Sequence, residues 1–302
     1  MKAVKQLTGD DKPVLLLGNG IARAFEGDSW RKIIEKTIKE FQCEYSYEEI
    51  KELPSTFQIT AATKNDVLSA MKILSNELCS LELSKEYYTF LCEYIVESPI
   101  TDIISTNYTY EVEKAIKPSY STSPQNQSRL KTKEGTKREN QMMLYRYNLL
   151  NEGEYEKRIW HIHGEACTAK TMVMSQYYYG YKISAIQDYL KANMSYYKAC
   201  ENRGEKPVVK SWIDLFLLRD IYIVGFGMDF SESDFWWLTC YKRLYFPHTK
   251  IYSFEPNLIY GDSKEIMANV YGIELKRKDE VVTNDEFKQF YKEVFREIKA
   301  SV

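Results

Sequence analysis

The chain has 302 residues, enough for one large domain with inserts, and 44% of them are hydrophobic, an ordinary globular share. A net charge of −2 and a pI near 6.1 exclude a general electrostatic attraction to nucleic acid. No stretch reaches the ~20 consecutive apolar residues of a membrane span. The nearest, Trp212–Met228, is interrupted by Asp214, Arg219 and Asp220.

Six cysteines stand at 43, 79, 92, 167, 200 and 240, with no CxxC pair of the kind that builds a zinc ribbon. Lys2 and Lys5 precede only a four-residue apolar run, too short for a secretion signal. Both features lead us to expect reduced thiols and a cytoplasmic protein.

In chain order, Val14–Leu17 reads as a short buried strand, followed by the turn Gly18-Asn19-Gly20 and an amphipathic helix carrying Trp30, Ile33, Ile34, Ile38 and Phe41. Strand, glycine turn and helix open a nucleotide-binding α/β unit, because glycine leaves the backbone open to a pyrophosphate. A third glycine of the dinucleotide fingerprint is replaced by Arg23. Helical stripes then run to Pro99. A short helix from Tyr47 stops at Pro54. One capped by Asn65 or Asp66 carries Val67, Ala70, Met71, Leu74, Leu78 and Leu81, and one opened by Ser84 carries Tyr87, Tyr88, Leu91, Tyr94 and Ile95. They form a helical insert over about 43–98.

Thr101–Ser105 reads as the second strand, ending in Thr106-Asn107-Tyr108. Ser119–Glu156 is polar, with a basic run at Lys131–Arg138, and is expected to be a solvated excursion or hairpin. Arg158–Gly164 alternates, placing Trp160 and Ile162 on one face and Ile159, His161 and His163 on the other. Thr171–Met174 is a further strand candidate, Tyr177–Cys200 is a helix within a second helical insert over about 177–212, and Val208–Leu218 reads as the next helix. Asp220–Val224 is a strand ending in Gly225-Phe226-Gly227, with Asp229, Ser231, Glu232 and Asp234 beyond it. Ile251–Phe254 leads to Glu255-Pro256-Asn257, and a capping box at Thr283 and Glu286 opens the last helix. The pattern predicts a single α/β domain over 1–302: a Rossmann-like, doubly wound, mostly parallel sheet with helical insertions.

The order GNG, TNY, HG and GFG resembles the sirtuin-like (Sir2-like) family, and most closely its prokaryotic antiphage-defence members, which are NAD hydrolases. The resemblance implies catalytic roles for Asn107 and His163. It implies dinucleotide contacts from Gly18, Asn19, Gly20, Ile21 and Arg23, from Thr106, Asn107 and Tyr108, and from Gly225, Phe226, Gly227 and Asp229. Glu255 and Asn257 fall on the adenine-ribose side, and His161 is assigned to support of its strand. The cysteine-paired zinc module and the GIPDFR segment of classical deacylases are missing, so no zinc or other metal is expected.

The implied function is cleavage of the nicotinamide–ribose bond of NAD, with NAD as substrate, in an antiviral, abortive-infection role. An NAD-dependent protein deacylase and a non-catalytic NAD or ADP-ribose sensor are the alternatives. A homo-oligomer gated by a HerA-type hexameric ATPase or a phage-derived activator is the implied assembly, with no membrane partner and no direct nucleic-acid contact.

Overall fold

The computed structural model describes residues 12–27, 29–79, 81–118, 120, 141–152, 155–257, 262–277 and 280–302. The basic run Lys131–Arg138 lies outside them. Seven strands form one sheet: β1 (Val14–Leu17), β2 (Asp102–Ser105), β3 (Asn148–Glu152), β4 (Tyr155–His161), β5 (Ile221–Val224), β6 (Ile251–Glu255) and β7 (Ile273–Arg277). Their spatial order is β3-β4-β2-β1-β5-β6-β7, and only the β3–β4 pair is antiparallel. With β3 set aside, this is the doubly wound order 3-2-1-4-5-6, whose direction of winding reverses between β1 and β5. A ligand crevice in such a sheet opens at the carboxyl ends of the strands beside that reversal.

The helices cover both faces. Between β1 and β2 lie α1 (Gly20–Glu26), α2 (Ser29–Glu40), α3 (Tyr47–Ile50), α4 (Ser55–Ala62), α5 (Val67–Cys79) and α6 (Lys85–Leu91), the last running on into a π-helical turn, Cys92–Val96. After β2 come α7 (Glu111–Ile116), α8 (Gln176–Arg203), α9 (Trp212–Leu218), α10 (Ser233–Tyr245), α11 (Ser263–Tyr271) and α12 (Asn284–Ser301). The expected caps are present: Ser84 Oγ accepts from Tyr87 N, Asp66 Oδ1 from Ser69 N, and Thr283 and Glu286 form their reciprocal box. β1 is buried along its whole length, and its alternate residues feed two cores. Val14 and Leu16 join α8, α9 and α10, whereas Leu15 and Leu17 join α6, α7 and α12. At the amino ends of the strands, Asp102 accepts from Arg158 at 2.8 Å and from Arg219 at 3.0 Å, tying β2 to β4 and to the approach to β5.

Two expectations need correction. Thr171–Met174 is no strand: a 3-10 turn spans Ala169–Thr171, and beyond it Val173 N donates to His163 O at 2.8 Å without joining a ladder. The second insert is present as one helix ending at Arg203, where Gly204 adopts the left-handed conformation, and the helix read over Val208–Leu218 begins at Trp212, capped by Ser211. The cysteines are not all free thiols, because Cys79 at the end of α5 is bonded to Cys167, with 5.2 Å between Cα atoms. Strands β3 and β7 and helix α11 have no counterpart in the periodicity reading. No helix among the described residues is long and apolar enough to cross a membrane.

Candidate functional site

Both glycine turns sit at the winding reversal, and they pack on each other. Gly20 N donates to Gly225 O at 2.6 Å, and Gly18 N to Val224 O at 3.1 Å. A Cβ on Gly18 would come within 2.4 Å of Phe226 Cα, and one on Gly20 within 2.7 Å of Gly225 O. Close backbone approach therefore demands these glycines whether or not a phosphate ever binds there. Arg23 is exposed on α1, near Tyr291 of α12. Gly227 is exposed, and a Cβ on it would meet nothing within 4 Å.

Asn107 and His163 stand at the carboxyl ends of adjacent strands, β2 and β4, but line different cavities. The first is lined by Gly18, Ile21, Asn107, Glu111, Glu113 and His161, on the α6–α7 side of the sheet. The second is lined by Leu16, Thr106, His163, Phe226 and Asp234, on the α9–α10 side. Each has room for about a water molecule. The single pocket expected around Asn107 and His163 is thus divided in two. The reason is local. Thr106 lines the second cavity and Asn107 the first, and His161 lies on the Asn107 side. His163 lies beyond the end of β4, where Gly164 at φ 96° turns the chain. A Cβ there would lie 2.2 Å from Thr171 O. The His163 ring joins α8 and α10 instead of sharing the face of Ile159 and His161.

On the first side, His161 is the histidine that meets Asn107. Its Nδ1 lies 2.8 Å from Asn107 O and its Nε2 2.7 Å from Glu113 Oε1. Both partners accept, so both ring nitrogens carry protons and the ring is an imidazolium. Burial pulls its pKa down, but the Glu113 charge and hydrogen bond, with Glu165 and the Asn107 carbonyl, more than offset this and raise it to about 9. Asn107 Nδ2 donates to Glu111 Oε2 at 3.1 Å, and that carboxylate also takes Tyr87 OH and the Thr109 hydroxyl. Burial pushes the Glu111 carboxyl up, against those hydrogen bonds. Glu165 pairs with Arg146 at 2.7 Å and accepts from Tyr110.

On the second side, His163 Nε2 lies 3.2 Å from Asp234 Oδ2 and 3.6 Å from Glu232 Oε2. Lys182 of α8 is fully buried, with Nζ 3.4 Å from the same Asp234 oxygen and 5.1 Å over the Trp212 ring. Burial would push the Asp234 carboxyl up, but His163 and Lys182 hold it well below the usual carboxylate range. Burial raises the Glu232 carboxyl and lowers the Lys182 ammonium. His163, Glu232 and Asp234 have the composition of a metal site, their ligand atoms within 4.8 Å of one another. Lys182 already supplies the positive charge that a cation would bring to Asp234.

The remaining expected contacts are spread along the same edge of the sheet. Tyr108 OH donates to Val173 O at 2.8 Å, and Thr106 Oγ1 to Leu17 O at 3.2 Å. Asp229 Oδ1 caps Ser231. Glu255 is paired with Lys264 at 2.5 Å. The Asn257 amide is committed to both the N–H and the carbonyl of Val281, so it clamps two loops and is not free for a ribose.

Sequence reasoning missed Glu111, Glu113, Glu165, Tyr179 and Lys182. Glu111 carried no usable spacing signal, since Asn107 lies outside α7, which begins at Glu111. Lys182 carried none, because nothing local marks a lysine on a long helix as buried. No family model matches the chain, and no curated protein matches it.

Proposed function

We propose that the protein cleaves the nicotinamide–ribose bond of NAD. One observation carries the reading: the two glycine turns meet at the winding reversal of a 3-2-1-4-5-6 sheet, with Asn107 and His163 at adjacent strand ends beside them. A dinucleotide laid across that reversal would run its pyrophosphate along the glycine seam and its nicotinamide ribose toward β2 and β4. In the reaction, water oxygen bonds to the anomeric carbon. The C–N pair leaves with nicotinamide, which becomes neutral, and the water proton passes to His163 and on to solvent. Asn107 would orient the ribose or the water through its side-chain oxygen, its Nδ2 being held by Glu111.

The two cavities are water-sized, so neither admits substrate as it stands. We infer an activity that needs an opening step, with self-association, a HerA-type ATPase or an infection signal as the candidate triggers that the resemblance implies. The Asn107 amide, tied to Glu111, favours a second reading, a sensor that binds NAD or ADP-ribose without consuming it.

The experiment is incubation of the full chain with NAD, alone and with its candidate activators, with nicotinamide and ADP-ribose quantified by chromatography. Asn107→Ala and His163→Ala should each lose at least about 100-fold in turnover. Wild-type rates in both variants refute the assignment, and NAD binding without product under every condition selects the sensor.

A further inference from the structure

The pair of carboxylates beside His163 has a purpose that the glycine turns and Asn107 do not explain. Nε2 is the ring nitrogen that faces Asp234 Oδ2, at 3.2 Å, and Glu232 Oε2, at 3.6 Å. Facing two acceptors, it keeps a proton in either charge state of the ring. The proton that comes and goes is therefore the one on Nδ1. Asp234 is itself fixed from three directions: Phe235 N donates to Oδ1 at 2.8 Å, and Lys182 and His163 both approach Oδ2. Lys182 is anchored in turn by Ile162 O, one residue before His163. Tyr179 sets its ring edge-on to the imidazole, 5.3 Å between centroids, and donates its hydroxyl to Glu232. Asp234 and His163 are 2% and 3% exposed, so solvent neither screens nor loosens the arrangement.

We propose that Asp234, with Lys182 behind it, is the positioning residue that locks His163 with its proton on Nε2 and its lone pair on Nδ1. Nδ1 is then the atom that takes the proton from water or a ribose hydroxyl. This part rests on the NAD-cleaving reading; the orientation of the ring does not. A base held by a buried carboxylate follows the logic of other oriented histidines, in which the acid fixes tautomer and direction and is not itself protonated. Glu232 shares Nε2 at longer range, and Tyr108 adds a hydroxyl to the same surroundings.

The chain has three histidines, which makes the test direct: long-range proton–nitrogen NMR on the full-length, nitrogen-labelled protein, titrated from pH 5 to 9. His163 should show the Nε2–H tautomer in its neutral form. In Asp234→Asn the hold on that tautomer should weaken, because the charged acceptor facing Nε2 is gone. A neutral His163 protonated on Nδ1, or an unchanged tautomer preference in a folded Asp234→Asn, overturns the proposal. The wild-type spectrum alone decides the tautomer if that variant does not fold. With NAD as substrate, Asp234→Asn should lower kcat by about 10²–10⁴ with KM changed less than about threefold. An unchanged kcat overturns the positioning role. Absence of NAD turnover in the wild type with every candidate activator overturns the function proposed above, while the spectrum still reads the ring.

Discussion

Replacing His161 by glutamine tests the electrostatics of the first cavity most sharply. The folded ring holds its proton to about 9, against an unperturbed value near 6.5. A folded value above the unfolded one means that the native state binds the proton more tightly. The stabilisation is fully present below pH 6.5 and is lost as pH rises through 9. At 1.36 kcal/mol per pH unit the gap sets an upper bound of about 3 kcal/mol, and the full burial of His161 leaves little for solvent screening to remove. A pH scan of the wild type alone would not isolate it. Lys242 and Lys157 are lowered by burial to about 7 and about 8, so their contributions run the other way, with stability rising through that alkaline range. The assay is therefore urea unfolding of wild type and His161→Gln side by side at pH 6, 7.5, 9 and 10. The lysines titrate alike in both, and the difference reports the imidazolium. It should be largest at pH 6 and shrink by about 3 kcal/mol by pH 10. A gap that stays constant or widens with pH refutes the charged, doubly donating ring.

Other outcomes follow from the same structure. Reducing the Cys79–Cys167 bond, which spans 88 residues, should cost about 4.6 kcal/mol on chain-entropy grounds, seen as a lower unfolding midpoint with reductant. A Cys79→Ser/Cys167→Ser variant should not respond to reductant, and an equal response in both would show that the bond does not form. Gly18→Ala should destabilise by more than about 2 kcal/mol because its Cβ meets Phe226 Cα, whereas Gly227→Ala should stay within about 0.5 kcal/mol. Thermal melts of the pair check this, and equal melting points would refute the seam.

The sheet was legible because β1, β2, β5 and β6 are short apolar runs that end in turn residues, and buried parallel strands have that signature. β7, Ile273–Arg277, was not, since an edge strand alternates apolar with charged residues and Leu275 is its one apolar residue after Ile273. The motif ends of β2 and β4 drew attention to Asn107 and His163, and the register makes those two strands neighbours. Which cavity each would line was not legible. Period-two alternation holds only inside a ladder, and His163 lies past the last paired residue, His161. Its surroundings come from Lys182 on one helix and Asp234 on another, contacts that no local window contains.

At the opposite end of the sheet, Asp102 is one carboxylate serving two guanidiniums, all three nearly shut off from solvent. The balance there is lopsided. Losing Arg158 or Arg219 leaves a neutral couple, whereas losing Asp102 leaves two cations confronting each other indoors. Sequence drift at this corner should therefore be free to discard an arginine long before it can touch the acid.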